Sequence, residues 1–407
     1  MTEGAHFRKE TGLGKDTRNM ETAPPATTGN TPQDESKIRV MLVDDSAVIR
    51  GLISRTLEKD GGINIVSSVS NGEMAVNAIH RADPDIVILD IEMPIMDGIT
   101  ALPLLLKEKP GLKVLMCSTL SQRGADISLK ALALGATECI AKPTSSTEMA
   151  STGDFSSELL RLIKGICAHP APRRASPGTV ELRPRSTRPV RPYFPPKGPV
   201  QVTLRHDSFA YAGRPDIIAI GSSTGGPAAL LSLMKSFQGI DLPIILTQHM
   251  PKTFTTVLAK HITTNCGIPC HEGATGMILE KGHVYVAPGG FHMLLKKSDD
   301  RVYLQIDDGP PENYCKPSVD PMMRSAIEIY GRKILAVILT GMGHDGLSSC
   351  RTLVEMGGRL IAQDQATSVV WGMPGAVAEA GLCTAVLPLN EIGAWVQTAV
   401  TGRVKAN

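Results

Sequence analysis

Acidic side chains follow two of the apolar segments near the start of the chain. The segment Ile38–Val43 ends in Asp44 and Asp45, and the segment Asp85–Leu89 ends in Asp90. If these segments are parallel strands, their C-terminal ends line one crevice and bring the three carboxylates together. Carboxylates this close repel one another unless a cation neutralises them, and oxygen ligands with room for water and phosphate suit Mg²⁺. The pattern predicts a magnesium site.

A hydroxyl group and an ammonium group are expected at the same edge. The segment Lys113–Cys117 ends in Ser118, and the segment Glu138–Ala141 is followed by Lys142. Together with a metal site, these two groups are suited to contacting a phosphoryl group. The chain is therefore predicted to begin with a phosphate-handling switch, whose output lies in the remaining residues.

A glycine-rich turn in the second half of the chain carries two serines. The apolar segment Ile217–Ile220 runs into Gly221–Pro227 and then into a predicted helix. This arrangement fits the G-x-S-x-G elbow, in which a nucleophilic serine lies on a sharp strand-to-helix turn. A phosphate-binding loop is the alternative interpretation, because backbone N–H groups at a helix start also bind anions.

A histidine and an aspartate follow two further predicted strands. His249 comes after Pro243–Leu246, and Asp345 comes after Ile334–Leu339. Strand ends that present Ser, His and Asp at one edge supply the nucleophile, base and orienting acid of acyl transfer. His344 is a competing base, although its adjacency to Asp345 makes it hard for both to face one serine. Asp345 as a helix N-cap is a second alternative. The order Ser, His, Asp also differs from that of the α/β-hydrolases.

The composition excludes several classes of protein. The 407 residues are enough for two domains, and a net charge of +2 argues against a globally basic nucleic-acid binder. Aromatic residues make up 4% of the chain, which leaves few platforms for stacked bases. The 8 cysteines include no CxxC pair, so reduced thiols are expected. With no signal peptide and no apolar run long enough to span a membrane, we expect a cytoplasmic protein.

Periodicity divides the chain into four segments. Residues 1–36 are polar and aperiodic and are expected to form a disordered arm, and residues 168–214 are expected to form a Pro- and Arg-rich linker. Strand–helix alternation over residues 37–167 predicts a doubly wound domain with a parallel five-stranded sheet. Residues 215–403 predict a second α/β domain with a mainly parallel sheet. A hairpin within Met293–Ile306 is expected to make that sheet mixed at its edge.

The motifs at these sites resemble those of a known family, the chemotaxis response-regulator methylesterases, in which a receiver is linked to a protein-glutamate methylesterase/glutamine deamidase. The resemblance covers nearly all of the chain except the N-terminal arm and the linker. In the first domain the matching segments are Val43–Ser46, Leu89–Pro94, Met96–Gly98 and Ala141–Pro143. In the second domain they are Gly221–Gly226, Thr247–Pro251, Val284–Gly289, Lys316–Asp320, Leu339–Gly346 and Ala362–Ser368.

The resemblance implies a role for individual residues. The first domain is expected to be a flavodoxin-like receiver in which Asp90 is the phospho-acceptor. Its Mg²⁺ ligands would be Asp44, Asp45 and Asp90, and its phosphoryl contacts Ser118 and Lys142. In the second domain the implied nucleophile is Ser223 rather than Ser222. The implied base, orienting acid and backbone oxyanion donor are His249, Asp345 and Met342.

The same resemblance implies a function and partners. The expected activity is hydrolysis of glutamate γ-methyl esters on methyl-accepting chemotaxis receptors, with deamidation of receptor glutamines, under control of phosphorylation by a chemotaxis histidine kinase. Mg²⁺ is expected for the receiver only, and no cofactor for the esterase. Two positions depart from the family pattern: Cys139, where receivers usually carry an aromatic residue, and Cys315, where the family often has histidine. A receiver with a non-catalytic or nucleotide-binding output is the alternative interpretation.

Overall fold

The computed structural model of the chain describes residues 37–119, 121–142, 152–168, 202–205 and 213–401. The expected N-terminal arm and nearly all of the expected linker lie outside the described residues. Within the described part of the chain, every helix is too short or too polar to cross a bilayer.

The first sheet has five parallel strands in the spatial order β2-β1-β3-β4-β5. Its central strand is buried along its whole length and is apolar up to its last residue, Asp90, as expected for a parallel sheet covered on both faces. The strands, β1 to β5 in chain order, are Ile38–Val43, Ile63–Val69, Ile86–Asp90, Lys113–Ser118 and Glu138–Ala141. The sequence pattern does not predict β2, because polar residues interrupt its apolar ones.

Helices connect and cover these strands. They are, from α1 to α5, Ala47–Glu58, Gly72–Ala82, Gly98–Glu108, Gln122–Ala133 and Thr152–Cys167. The first four each begin after a residue whose side-chain oxygen accepts a hydrogen bond from a backbone N–H of the first turn, which satisfies an otherwise unpaired donor. These N-cap residues are Ser46, Asn71, Asp97 and Ser121.

The second sheet has seven strands in the order β14-β13-β12-β6-β7-β9-β8. These strands are Ile217–Ser222 (β6), Ile244–Gln248 (β7), Cys270–Glu272 (β8), Val284–Val286 (β9), Ile334–Ile338 (β12), Arg359–Gln363 (β13) and Ala385–Leu387 (β14). All its paired strands run parallel. The C-terminal ends of β6, β7 and β12 therefore meet at one edge.

The expectation of a mixed edge needs one correction. The antiparallel hairpin forms, between His292–Ser298 (β10) and Arg301–Asp307 (β11), but it is a separate two-stranded sheet. Its apolar residues Met293, Leu295 and Leu304 are buried in the core on one face of the seven-stranded sheet. The hairpin thus packs through side chains rather than extending the main sheet by backbone pairing.

The helices of the second domain lie on both faces of its sheet. They are, from α6 to α11, Gly226–Lys235, Lys252–Cys266, Val319–Tyr330, Leu347–Glu355, Met373–Glu379 and Leu389–Thr401. The described residues from Ile38 onward form one compact unit, in which α4 of the first domain packs against α6 and α7 of the second. The predicted fold class, a five-stranded parallel first domain with a mostly parallel α/β second domain, is confirmed.

Candidate active site

Ser223 lies on the sharp turn between β6 and α6. Its backbone N–H donates to the carbonyl oxygen of Thr340 at 3.0 Å, and its carbonyl accepts from Gly226 N–H at 2.7 Å. Gly225 has a φ of 75°, in the left-handed region where a side chain is strained, and a Cβ there would lie 2.5 Å from Val369. The glycines therefore permit the turn, and Ser223 is held rigidly and largely buried.

His249 lies beside Ser223 because the two residues continue neighbouring parallel strands. Ser222 is paired with Gln248, the last residue of β7, and His249 N–H donates to the Ser222 carbonyl oxygen at 3.1 Å. The Gln248 side chain joins the two strand ends. Its Oε1 accepts from Ser222 Oγ at 2.7 Å, and its Nε2 donates to the Ser223 carbonyl oxygen at 2.9 Å. The hydroxyl of Ser222 is thus committed to a structural bond.

Asp345 completes the group from the loop after β12. Its Oδ2 is 2.8 Å from Nε2 of His249. The carboxylate also accepts from Asn313 Nδ2 at 2.8 Å, Ser318 Oγ at 2.7 Å and Val319 N–H at 2.6 Å. Because Val319 begins α8, the carboxylate lies at a helix N-terminus, where the helix dipole favours negative charge.

The pKa values of this pair follow from their contact. Burial alone would lower the pKa of His249, but hydrogen bonds to Asp345 and Cys315 outweigh it and raise that pKa above its ordinary value. Burial alone would raise the pKa of Asp345, but the His249 contact and the Val319 and Ser318 donors lower it. The aspartate is therefore ionised and able to stabilise a protonated imidazole.

The structure contains neither of the two alternative arrangements at Asp345, which were His344 as the base and Asp345 as a helix N-cap. His344 is exposed, and the imidazole bonded to Asp345 belongs to His249. The N-cap of α9 is Gly346, with no side-chain capping bond. Asp345 is thus engaged with the histidine and with α8 rather than capping the helix that follows it.

The backbone around Met342 approaches the nucleophile turn closely. A Cβ at Gly341 would lie 2.8 Å from Cβ of Ser223 and 3.0 Å from its nitrogen, so only glycine fits at this contact. Within the described residues, the N–H of Met342 donates to no backbone carbonyl. A free N–H beside a nucleophile turn is the kind of donor that stabilises an oxyanion.

The carboxylates predicted in the first domain also come together. Nζ of Lys142 is 2.6 Å from Asp44 Oδ2 and 2.7 Å from Asp90 Oδ1. Burial raises the pKa of Asp90, and the Lys142 ammonium opposes that effect. Oxygens of Asp44, Asp45 and Asp90 lie within 4.8 Å of one another. Three carboxylate donors at this spacing fit Mg²⁺, which prefers oxygen ligands and leaves positions for water and phosphate.

Ser118 links the phosphate-handling edge to α4. Its hydroxyl is 2.8 Å from Ser128 Oγ, and the carbonyl of Ser128 accepts from the thiol of Cys139 at 3.5 Å. Cys139, at the position where an aromatic residue was expected from the family pattern, therefore contacts α4. The neighbouring residue, Glu138, begins β5 and faces the second domain.

Glu138 bonds directly to the nucleophile turn. Its Oε2 accepts from the backbone N–H of Gly225 at 2.7 Å, and its Oε1 accepts from Cys139 N–H at 2.9 Å. Burial raises the pKa of Glu138 to about 7, and these two donors act in the opposite direction. The first domain thus places a carboxyl group two residues beyond Ser223.

A second contact between the domains lies at Met342. Nη1 of Arg161, on α5, is 3.2 Å from Met342 Sδ. A Cβ at Gly165, one turn further along α5, would collide with Cε of Met342. A third contact joins α4 to α7, where Asp126 Oδ1 is 2.8 Å from His261 Nε2. The first domain therefore contacts the turn that carries Ser223 at Gly225, and the neighbouring loop at Met342.

Several residues that organise the site were not assigned a role from the sequence. Gln248 and Ser318 lie within motifs that were recognised, but nothing in those motifs indicated which strand end or carboxylate they contact. Asn313 and Glu138 carried no signal, because each acts on a residue distant in sequence.

Both domains are similar to known proteins. A family model described as CheB methylesterase matches residues 218–396, and one described as response regulator receiver domain matches residues 40–152. The catalytic domain of Thermotoga maritima CheB is 38% identical, and the match covers 45% of this chain and 98% of that one with a TM-score of 0.44. For the Thermotoga maritima CheB response regulator domain, the match is 36% identical over 31% of this chain and 94% of that one, with a TM-score of 0.28.

Curated relatives match the chain along nearly its whole length. A protein-glutamate methylesterase/protein-glutamine glutaminase of Rhodospirillum centenum is 49% identical over 399 residues, which cover 94% of this chain and 100% of the relative. One of the same name from Azospirillum brasilense is 51% identical over 382 residues, which cover 92% of this chain and 96% of the relative. These matches favour an esterase output over a nucleotide-binding one.

Proposed function

The chain belongs to the family of protein-glutamate methylesterases/protein-glutamine glutaminases, and from this premise we propose that it uses Ser223, His249 and Asp345 to hydrolyse glutamyl γ-methyl esters on chemotaxis receptors. Glutamine side chains of the same receptors are a second substrate, since their hydrolysis needs the same groups and releases ammonia in place of methanol. One observation carries the assignment. His249 is bonded to Asp345 and lies beside Ser223 on the neighbouring strand end.

The reaction follows from the roles of these three side chains. Ser223 Oγ attacks the ester carbonyl while His249 takes its proton, and the imidazolium then returns that proton to the departing methanol. Water, deprotonated by the same imidazole, attacks the acyl-enzyme and releases the glutamate side chain and free Ser223. Asp345 holds the ring by Nε2, which leaves Nδ1 as the nitrogen that exchanges the proton.

The negative charge of the tetrahedral intermediate needs donors that are in place before the reaction. We assign one of them to the backbone N–H of Met342, which the Gly341–Ser223 contact holds next to the nucleophile. A preorganised donor of this kind typically lowers the activation free energy by about 3–4 kcal/mol. The contact between Met342 and α5 gives the first domain access to this loop.

The first domain is proposed to control access to the esterase. Asp90 would accept a phosphoryl group, Asp44, Asp45 and Asp90 would hold Mg²⁺, and Ser118 and Lys142 would contact the phosphoryl oxygens. Mg²⁺ supplies charge neutralisation for the incoming phosphoryl group. A chemotaxis histidine kinase is the general class of phosphodonor that a receiver of this family implies.

Phosphorylation adds about 1.5–2 negative charges and new acceptors at Asp90. Ser118 would turn towards them and leave Ser128, which loosens the contacts that Cys139 and Glu138 make beyond it. We propose that this weakens the interface at Gly225 and Met342 and opens the nucleophile turn to the receptor. Because both domains are in one chain, even a modest interface is sufficient to inhibit.

The test is methanol release from receptor membranes that carry methylated glutamates. The proposal predicts release by the intact protein, stimulated by acetyl phosphate with Mg²⁺ and absent in Ser223→Ala. Release that persists in Ser223→Ala would reject the assignment of the nucleophile, and no release under any condition would reject the activity.

A further inference from the structure

A strained turn next to the active site presents an exposed tyrosine. Asn313 and Tyr314 have φ values of 53° and 62°, both in the left-handed region. Residues other than glycine enter this region at a cost in free energy, and a bulky side chain there is an outlier. The Tyr314 side chain is nevertheless fully exposed. The surrounding contacts must therefore hold the turn in place.

These contacts lead directly to the proposed triad. The N–H groups of Glu312 and Cys315 each donate to the other's carbonyl, at 3.1 and 2.9 Å. Asn313 Nδ2 donates at 2.8 Å to Asp345. The side chain of Cys315, the residue after Tyr314, also contributes to the raised pKa of the His249 imidazole. The position of Tyr314 is therefore fixed relative to the reacting groups.

A basic and aromatic surface adjoins this turn. Phe291 contacts two lysines, with its ring centroid 5.4 Å from Nζ of Lys252 and 5.8 Å from Nζ of Lys316. The Lys316 ammonium is paired with Asp308 at 2.5 Å, whereas Lys252 forms no ion pair within the described residues. We call Lys252, Phe291, Tyr314 and Lys316 the Tyr314 rim.

We propose that the Tyr314 rim binds the acidic peptide segment that flanks the reacting glutamyl ester, with Tyr314 as its anchor. This inference rests on the proposed function. The receptor substrate carries glutamates, because hydrolysis of each ester leaves one and because unmodified glutamates lie nearby. Lys252, which forms no ion pair within the described residues, can attract these carboxylates. Tyrosine is enriched among the few residues that contribute most of the binding energy at protein interfaces, and Tyr314 is held in a fixed position beside the site.

The exposure of Tyr314 has a consequence for regulation. The tyrosine is exposed while the first domain contacts Gly225 and Met342. Binding of the acidic segment at the rim therefore does not require that domain to move. Loss of the anchor should raise KM for the receptor by the same factor with and without acetyl phosphate.

The experiment uses the full chain and compares Tyr314→Ala with Tyr314→Phe. A matched control is Met356→Ala, since Met356 is a half-exposed residue at the C-terminal end of α9, away from the strand ends that carry the site. Methanol release is measured against the concentration of methylated receptor. Hydrolysis of 4-nitrophenyl acetate, a small ester without a peptide segment, reports on the triad alone.

We expect Tyr314→Ala to raise KM for the receptor about tenfold, with kcat within about twofold and the small ester unaffected. Tyr314→Phe and Met356→Ala should behave as the unaltered protein. An unchanged KM in Tyr314→Ala would overturn the inference. So would a parallel loss of small-ester hydrolysis, which would show that the tyrosine acts only through Cys315 and His249. Absence of methanol release by the unaltered protein would instead reject the proposed function.

The charge of the rim has its own test. Lys252→Gln should raise KM for the receptor and make KM less dependent on salt, because it removes an attraction that salt screens. Lys333→Gln is the control, since Lys333 precedes β12 at the opposite edge of the sheet and pairs with Asp216 at 3.0 Å. Equal effects of both substitutions would show a general charge effect and overturn the proposed contact.

Discussion

At the scale of single residues, the two adjacent serines have different environments. The hydroxyl of Ser222 donates to Gln248, while that of Ser223 makes no hydrogen bond within the described residues. Ser223→Ala is therefore expected to lower methanol release at least about a thousandfold, with the free energy of unfolding changed by less than about 1 kcal/mol. Receptor assays and thermal unfolding check both parts.

Ser222→Ala provides the comparison for that substitution. It leaves the buried Oε1 of Gln248 without its donor, which should cost about 1–3 kcal/mol of stability. Activity should fall less than about tenfold, because no reacting atom is removed. A reversed result, with Ser222→Ala inactive and Ser223→Ala active, would move the nucleophile to Ser222.

The pH dependence is set by His249. Only the neutral imidazole can accept the serine proton, and its contacts hold its pKa above the ordinary value of about 6.5. Activity should therefore be lost as the pH falls through this raised pKa, and should still be rising with pH above neutrality. Rates measured from pH 6 upward, at about one-unit intervals, check this; an inflection below about 6.5 would contradict it.

Asp345→Asn tests the cause of that raised pKa. An amide does not stabilise the imidazolium, so the inflection should move to lower pH and kcat should fall about 10³–10⁴-fold. The circular dichroism spectrum should be retained, since Asn has the same size and keeps one oxygen, which can still accept from Ser318 Oγ. A large loss of kcat without any movement of the inflection would mean that Asp345 is not the partner of the imidazole.

At the scale of helices and strands, the sequence predicts some features of the site and not others. Strand ends carrying Asp90, His249 and Asp345 could be located because apolar segments fix where parallel strands stop, and the structure brings their side chains to the expected edges. The sequence predicted the β10–β11 hairpin but not that it forms a sheet separate from the seven-stranded one. Which strands pair depends on contacts between residues far apart in sequence. Asn313 lies in a turn without periodicity, so its bond to Asp345 could not be anticipated.

The hydrogen bond between Glu138 of β5 and Gly225, at the start of α6, can be tested by substitution. Glu138→Ala removes the carboxyl group that Gly225 N–H contacts, and a hydrogen bond of this kind contributes about 0.5–1.5 kcal/mol. Methanol release without phosphodonor should rise about two- to tenfold if that energy holds the closed interface. Receptor assays with and without acetyl phosphate measure the change.

Glu108→Ala is the matched control for Glu138→Ala. Glu108 is also a carboxylate of the first domain, but it is exposed at the end of α3 and pairs with His80 at 2.8 Å. It should leave release without phosphodonor unchanged. If Glu138→Ala behaves in the same way as this control, the carboxyl group at Gly225 does not restrain the esterase.

At the scale of the whole molecule, the contacts suggest one regulated unit. The first domain contacts Gly225, Met342 and α7, and the phosphate-handling edge connects to these contacts through Ser118 and α4. The domain limits at residues 37–167 and 215–403 stay a prediction. How the domains meet could not be derived from either sequence pattern, because interface contacts leave no periodic signal.

Asp90→Asn is expected to separate regulation from chemistry. Without the acceptor carboxylate, acetyl phosphate and Mg²⁺ should no longer stimulate methanol release, while basal release should persist because the triad is untouched. Incorporation of labelled phosphate provides the accompanying measurement. Stimulation that survives in Asp90→Asn would place the phospho-acceptor elsewhere.

The central claim is that a serine, a histidine and an aspartate from three strand ends form one esterase site under the control of the first domain. The most direct measurement is methanol release from methylated receptor membranes by the full chain and by Ser223→Ala, each with and without acetyl phosphate and Mg²⁺. We predict stimulated release by the full chain and none by Ser223→Ala in either condition. Equal release by the two proteins would contradict the account.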